Sequence, residues 1–158
     1  MKQKNLWLLV GLPGSGKSTC VKNALEHGKN SIWVSRDEVR FSLVKEDEEY
    51  FSRENEVFYT FIQRAQTALN SPNIDNVYID ATHLNEKSRR KTLNALTIPD
   101  HTIVNAVFMN TNIDTCIERN NLRQGREKVP ESVIHNMAKT LTAPQESEGF
   151  DNILILKG

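Results

Sequence analysis

Between residues 7 and 20 the chain reads WLLVGLPGSGKSTC, an apolar run that breaks into a glycine-rich loop ending in Lys-Ser-Thr. Gly11-Leu12-Pro13-Gly14-Ser15-Gly16-Lys17-Ser18 satisfies the pattern G-x-x-x-x-G-K-[ST] at every position. The chemistry of such a loop is the cradling of nucleotide phosphates. Its glycines open backbone conformations closed to other residues, so that N–H groups turn inward onto phosphate oxygens. A strand before the loop and a helix after it complete the context, and the helix N-terminus adds a positive dipole end. Lys17 then reaches the outer phosphates of ATP, and the Ser18 hydroxyl takes a place on Mg²⁺. Pro13, Ser15 and Thr19 complete the ATP-binding set. The motif leaves the phosphoryl acceptor open.

Acceptor chemistry has to come from elsewhere. In an open α/β sheet, ligands bind outside the carboxyl ends of the strands. Three later stretches fall there: SRDEVR, with Arg36, Asp37 and Arg40; IDATHLN, with Asp80 and Thr82; and ERNNLRQGREK, with Arg119, Arg123 and Arg126. An aspartate beside a phosphate loop either organises Mg²⁺ or accepts the proton of an attacking hydroxyl. Asp37 is read as the general base, because the flanking Arg36 and Arg40 suit an acceptor that carries phosphate. Asp37 also fits a plain helix start, at or near the N-cap. Asp80 is assigned to the Mg²⁺ shell or to bracing Arg40. Thr82 fits a cap for the next helix better than a substrate contact, and its position keeps it in the acceptor set. An arginine closing over the γ-phosphate would stabilise transition-state charge. Arg123 is the first choice for that role and Arg126 the second, retained among the ATP-binding residues.

The remaining polar clusters have plainer readings. Arg89, Arg90 and Lys91 in EKSRRK read as a solvated helix face. The four histidines show no metal-ligand spacing.

Strands and helices must alternate to position these residues. LWLLV (6–10), SIWVS (31–35), VYIDAT (77–82), TIVNAVFMN (102–110) and NILIL (152–156) read as strands. Helices are expected over 18–27, 37–44, 50–70, 86–96, 113–123 and 130–141. In the third helix, Phe51, Phe58, Phe61, Ile62, Ala65 and Leu69 fall on one stripe and read as core. The result is a five-stranded, mostly parallel sheet flanked by helices on both faces.

The 158 residues suit a single domain over 1–158, with 38% hydrophobic and 25% charged side chains. Twenty basic residues balance 20 acidic ones, which argues against a surface coated with nucleic acid and leaves room for a local basic patch. Two isolated cysteines make no disulfide framework. No apolar run approaches a membrane span, and the N-terminal apolar stretch is too short for a signal peptide. A cytoplasmic protein is expected; its oligomeric state is left open.

With these residues in place, the sequence resembles the kinase domain of phage-type polynucleotide 5′-hydroxyl kinases, within the small P-loop kinases. The likeness rests on GLPGSGKST, SRDEVR, DATHLNEKSRR and ERNNLRQGREKVP, in that order, and covers nearly the whole chain. It implies an adenylate-kinase-like P-loop NTPase fold with ATP and Mg²⁺ as cofactors. By the same resemblance Asp37 looks like the base that activates a 5′-hydroxyl. Arg40 looks like the grip on the adjacent phosphate, and Arg123 like the lid arginine. The expected partner is a 5′-hydroxyl nucleic acid end, with no membrane. A kinase-only protein is expected, since the chain closes at NILILKG. A kinase of a small phosphorylated metabolite or nucleotide is the second reading, and a regulatory ATPase the third.

Overall fold

The computed structural model describes residues 3–158. Five strands, β1 (Asn5–Val10), β2 (Ser31–Ser35), β3 (Asn76–Asp80), β4 (Ile103–Met109) and β5 (Asn152–Leu156), pair in the order β2-β3-β1-β4-β5. Every pairing is parallel. Six helices connect them: α1 (Lys17–His27), α2 (Arg36–Leu43), α3 (Glu54–Asn70), α4 (Glu86–Ala95), α5 (Ile113–Asn121) and α6 (Glu131–Thr140).

The strand at the centre, β1, is apolar on both sides for a packing reason. Leu6, Leu8 and Val10 join the larger core with Phe61, Ala65 and Leu69 of α3, whereas Leu9 faces the smaller core around Val21 of α1. That period of two is the pleat of the strand. From β1 the chain runs out to the edge strand β2, returns to β3 on one side of β1 and then crosses to β4 on the other, so the order reverses at the carboxyl end of β1. Register levels that end: Asp80 pairs with Leu9 and with Ser35. The phosphate loop, the start of α2 and the end of β3 are therefore neighbours before any side chain is considered.

Four expectations change. The third helix begins at Glu54, not near residue 50, and Phe51 lies outside it, 43% exposed. Residues 81 and 82 lie beyond β3, and Arg123 lies beyond the end of α5. The basic face of α4 is not uniformly solvated, because Arg89 is 1% exposed. Its Nε and Nη2 donate to the two Glu148 carboxylate oxygens at 2.6 and 3.1 Å. Its Nη1 donates to the carbonyls of His83 and Thr142 at 2.9 and 3.0 Å. Arg89 thus ties α4 to the segment before β5. Replacing Arg89 with alanine strands a buried carboxylate and is expected to cost about 3–5 kcal/mol of stability. Urea denaturation checks this; a loss below about 1 kcal/mol would mean the pair is dispensable.

Candidate active site

The loop after β1 is built to leave donors free. Gly11 N–H is tied to the Thr82 carbonyl at 3.0 Å, which anchors the loop to the segment after β3. Gly14 has φ +81°, and a Cβ there would stand 2.4 Å from the Cys116 carbonyl oxygen, so only glycine fits against α5. Gly16, at φ +103°, is the N-cap of α1 and supplies no side-chain cap. α1 has no acidic residue in its first turn, whereas α2 carries Asp37 and Glu38 there. An uncapped N-terminus with no carboxylate in its own first turn keeps its N–H groups and dipole available to an anion. Lys17 Nζ meanwhile donates to the Leu12 carbonyl at 3.1 Å.

Pro13, Gly14, Gly16, Lys17, Ser18 and Thr19 line a cavity of about 700 Å³ together with Arg119 and Arg123. Gly11 and Ser15 serve the loop from within. Ser15 is 1% exposed, and its Oγ has no hydrogen-bond partner among the described residues.

A second cavity, of about 300 Å³, opens from the first. Pro13, Lys17, Asp37 and Asp80 border both. Ser35 caps α2 by accepting from the Glu38 N–H, which sets Arg36, Asp37 and Arg40 on its first two turns. Helical spacing brings Asp37 to Arg40, with Nη1 donating to Oδ1 at 2.7 Å. Glu54, opening α3, takes the other edge of Arg40 at 2.9 and 2.6 Å. Burial opposes the Arg40 charge, but the hydrogen bonds it donates to Glu54, together with the fields of Tyr50, Glu54 and Asp37, outweigh that, so its pKa is raised. Arg36 shares Glu54 at 3.6 Å; burial and the Arg40 charge lower its pKa. Burial likewise raises the Asp80 pKa, against Lys17 and the Trp33 indole N–H that donates to it at 3.1 Å.

A family model described as an AAA domain matches residues 6–144. The chain belongs to that family. Among solved structures it is similar to a chain of the Pnkp1/Rnl/Hen1 RNA repair complex (TM-score 0.73, 24% identity, 89% of this chain and 45% of that one). It is also similar to a fungal RNA kinase (0.68, 14%, 99% and 76%) and to a gluconokinase from Sinorhizobium meliloti 1021 (0.62, 17%, 99% and 84%). The chain spans less than half the length of the repair-complex chain. At these identities the likeness establishes a small P-loop, kinase-like fold. No curated protein sequence matches the chain.

Within this AAA-family domain, the sequence-derived residues separate by place. Lys17, Asp37 and Asp80 border both cavities, Ser18 and Arg123 line the first, and Arg36, Arg40 and Thr82 line the second. Thr82 does not cap α4; Asn85 and Ser88 form that capping box. Asp80 does not brace Arg40, because Glu54 and Asp37 do. Arg126 turns away from the phosphate loop. It donates to the Phe41 and Val44 carbonyls and stacks on Phe41, 4.9 Å from the ring centroid. Arg119 instead approaches the loop, donating to the Gly14 carbonyl at 3.4 Å.

Glu54, Tyr50 and Lys91 of the second cavity were not singled out for the site from sequence, and Phe51 and Phe58 were read as core. Glu54 lies 14 residues from Arg40 on another helix, a distance without a local signal.

His83, buried beside the site at φ +43°, has a structural part. Its Nδ1–H donates to the Leu9 carbonyl at 2.7 Å, which leaves Nε2 to accept from Thr92 Oγ1 at 3.1 Å. Burial lowers its pKa from 6.5 to about 4, with the positive charges of Arg36, Lys17 and Arg89 adding to the effect against the Leu9 hydrogen bond. The unfolded chain therefore binds a proton that the folded one refuses between those values. Stability is expected to be full above pH 6.5 and to fall as pH drops toward 4. Denaturant titrations across that range check it; in His83→Gln this part of the slope should vanish.

Proposed function

We propose that the chain is an ATP-dependent kinase that moves the γ-phosphate to a 5′-hydroxyl of DNA or RNA. The observation that carries the reading is Asp37, which borders both the cavity of the phosphate loop and the second, basic and aromatic cavity. A carboxylate at that junction is within reach of a hydroxyl entering from one side and a phosphate held on the other. Asp37 takes the hydroxyl proton as the acceptor oxygen bonds to the γ-phosphorus and the bond to the β–γ bridging oxygen breaks, releasing ADP. Arg40, locked by Glu54, holds Asp37 in place. Lys17 and Arg123 offset the charge on the transferred group.

The residues also fit Mg²⁺. Among the described residues no cluster of three or more His, Cys, Asp or Glu side chains could hold a metal on its own. That suits an ion that keeps several waters and binds through phosphates and one or two protein oxygens. Ser18 would hold it, with Asp80 in its outer shell, and the ion would neutralise phosphate charge during transfer.

One observation favours a second reading, a kinase of a small anionic metabolite: the acceptor cavity is only about 300 Å³. Transfer from radiolabelled ATP to 5′-hydroxyl oligonucleotides, nucleosides and sugar acids separates the two. Label on oligonucleotides supports the first reading, and label confined to a sugar acid replaces it with the second. No helix among the described residues is long and apolar enough to cross a membrane.

A further inference from the structure

The segment between α2 and α3 carries an aromatic pair that the transfer chemistry leaves unused. Tyr50 and Phe51 pack edge to face with centroids 4.7 Å apart. The Arg40 guanidinium stands 4.9 and 5.4 Å from the two rings. Phe41 braces Tyr50 edge-on at 6.3 Å. Phe51 nevertheless remains 43% exposed while lining the acceptor cavity. The cavity's other phenylalanine, Phe58, is already covered by Arg36 at 5.5 Å and Lys91 at 4.5 Å. Phe51 is thus a ring held in place by its neighbours, with apolar area left over at the cavity wall. Such a ring has little side-chain freedom left to lose on binding a flat partner.

We propose that Phe51 is the platform on which the base of the acceptor's terminal nucleotide stacks, making it the residue that selects a nucleotide end over a sugar. This rests on the polynucleotide reading above and names how that site would recognise its acceptor. Rings interleaved with cations, here Tyr50, Phe51 and Phe58 with Arg36, Arg40 and Lys91, are the arrangement that single-stranded nucleic acid binders use. Stacking tolerates any base, because each has a π face. A sugar acid offers an anion for the cations and no flat π face to stack on the ring.

The test measures transfer from ATP to three acceptors: a 5′-hydroxyl oligonucleotide, the same oligonucleotide with an abasic residue at its 5′ end, and gluconate. In the parent, removing the terminal base is expected to raise KM roughly five- to hundredfold, the usual range for one stacked base. In Phe51→Ala the KM for the intact oligonucleotide rises by a similar factor, so the preference for a base collapses, and Phe51→Trp restores it. ATP-analogue affinity and the melting temperature report whether each variant is folded. Equal KM values for the two oligonucleotides in the parent, or a persistent base preference in Phe51→Ala, overturn the platform and leave the kinase reading standing. Transfer to gluconate alone overturns the polynucleotide reading, and this inference with it.

Discussion

Replacing Lys17 with alanine is expected to cut phosphate transfer to every acceptor by more than roughly 10²–10³-fold, the loss typical when one donor to a developing charge is removed. Lys17 is a cation at the border of both cavities, and in the proposed transfer it would serve both the bond being broken and the bond being formed. Its ammonium rests on the Leu12 carbonyl, a neutral partner that a phosphate oxygen outcompetes. Stability should move the other way. Lys17 is the first residue of α1, where a cation opposes the helix dipole, so alanine is expected to leave the fold equally stable or a few tenths of a kcal/mol more so. Transfer assays beside thermal melts check both halves. Near-normal turnover would remove the loop from the mechanism.

Asp37→Asn is expected to lower transfer by roughly 10²–10⁴-fold, the usual contribution of a positioned general base. Asparagine keeps the shape, and its Oδ1 still accepts from Arg40 Nη1, so the wall between the cavities survives. ATP affinity should hold, since Lys17, Ser18 and the loop amides are untouched. Folding should barely respond, because the Asp37 side chain is 66% exposed and its ion pair contributes less than about 1 kcal/mol. Single-turnover transfer together with ATP-analogue titration separates the roles. Loss of ATP–Mg²⁺ binding would make Asp37 a metal organiser, and normal transfer would leave it only a favourable charge in the first turn of α2.

The candidate site divides by the range of the interactions that build it. The phosphate loop was legible because eight consecutive residues do one job with their own backbone, and Gly14 and Gly16 adopt the positive φ that such loops require. Asp37 and Arg40 lie three residues apart on one helix, a spacing that permits their ion pair, although the sequence pointed Arg40 at the acceptor's phosphate and offered Asp80 as its brace. The partner that sets Arg40 was not legible. Glu54 reaches it across a turn and a second helix, and many acidic residues nearby fit the local pattern equally well. Arg123, ranked first from its place at the end of the expected helix, lines the first cavity, whereas Arg126 turns to the α2 carbonyls, a contact with no local signal.

By itself, then, the sequence determined the alternation of strands and helices, the parallel sheet and the phosphate loop, because each follows from periodicity or from backbone freedom within a short window. The family match over residues 6–144 and the strand order β2-β3-β1-β4-β5 agree with that. Only the tertiary structure decided what surrounds Arg89, Phe51 and Lys91. Arg89 looked solvated until Glu148, 59 residues on, closed over it. Phe51 looked like core until α3 began at Glu54 and left it at a cavity wall beside Arg40, and Lys91, exposed as the sequence led one to expect, also stands over Phe58. The reason is physical: a charge or a ring acquires its role from what desolvates it, and that surface is assembled from segments far apart in the chain.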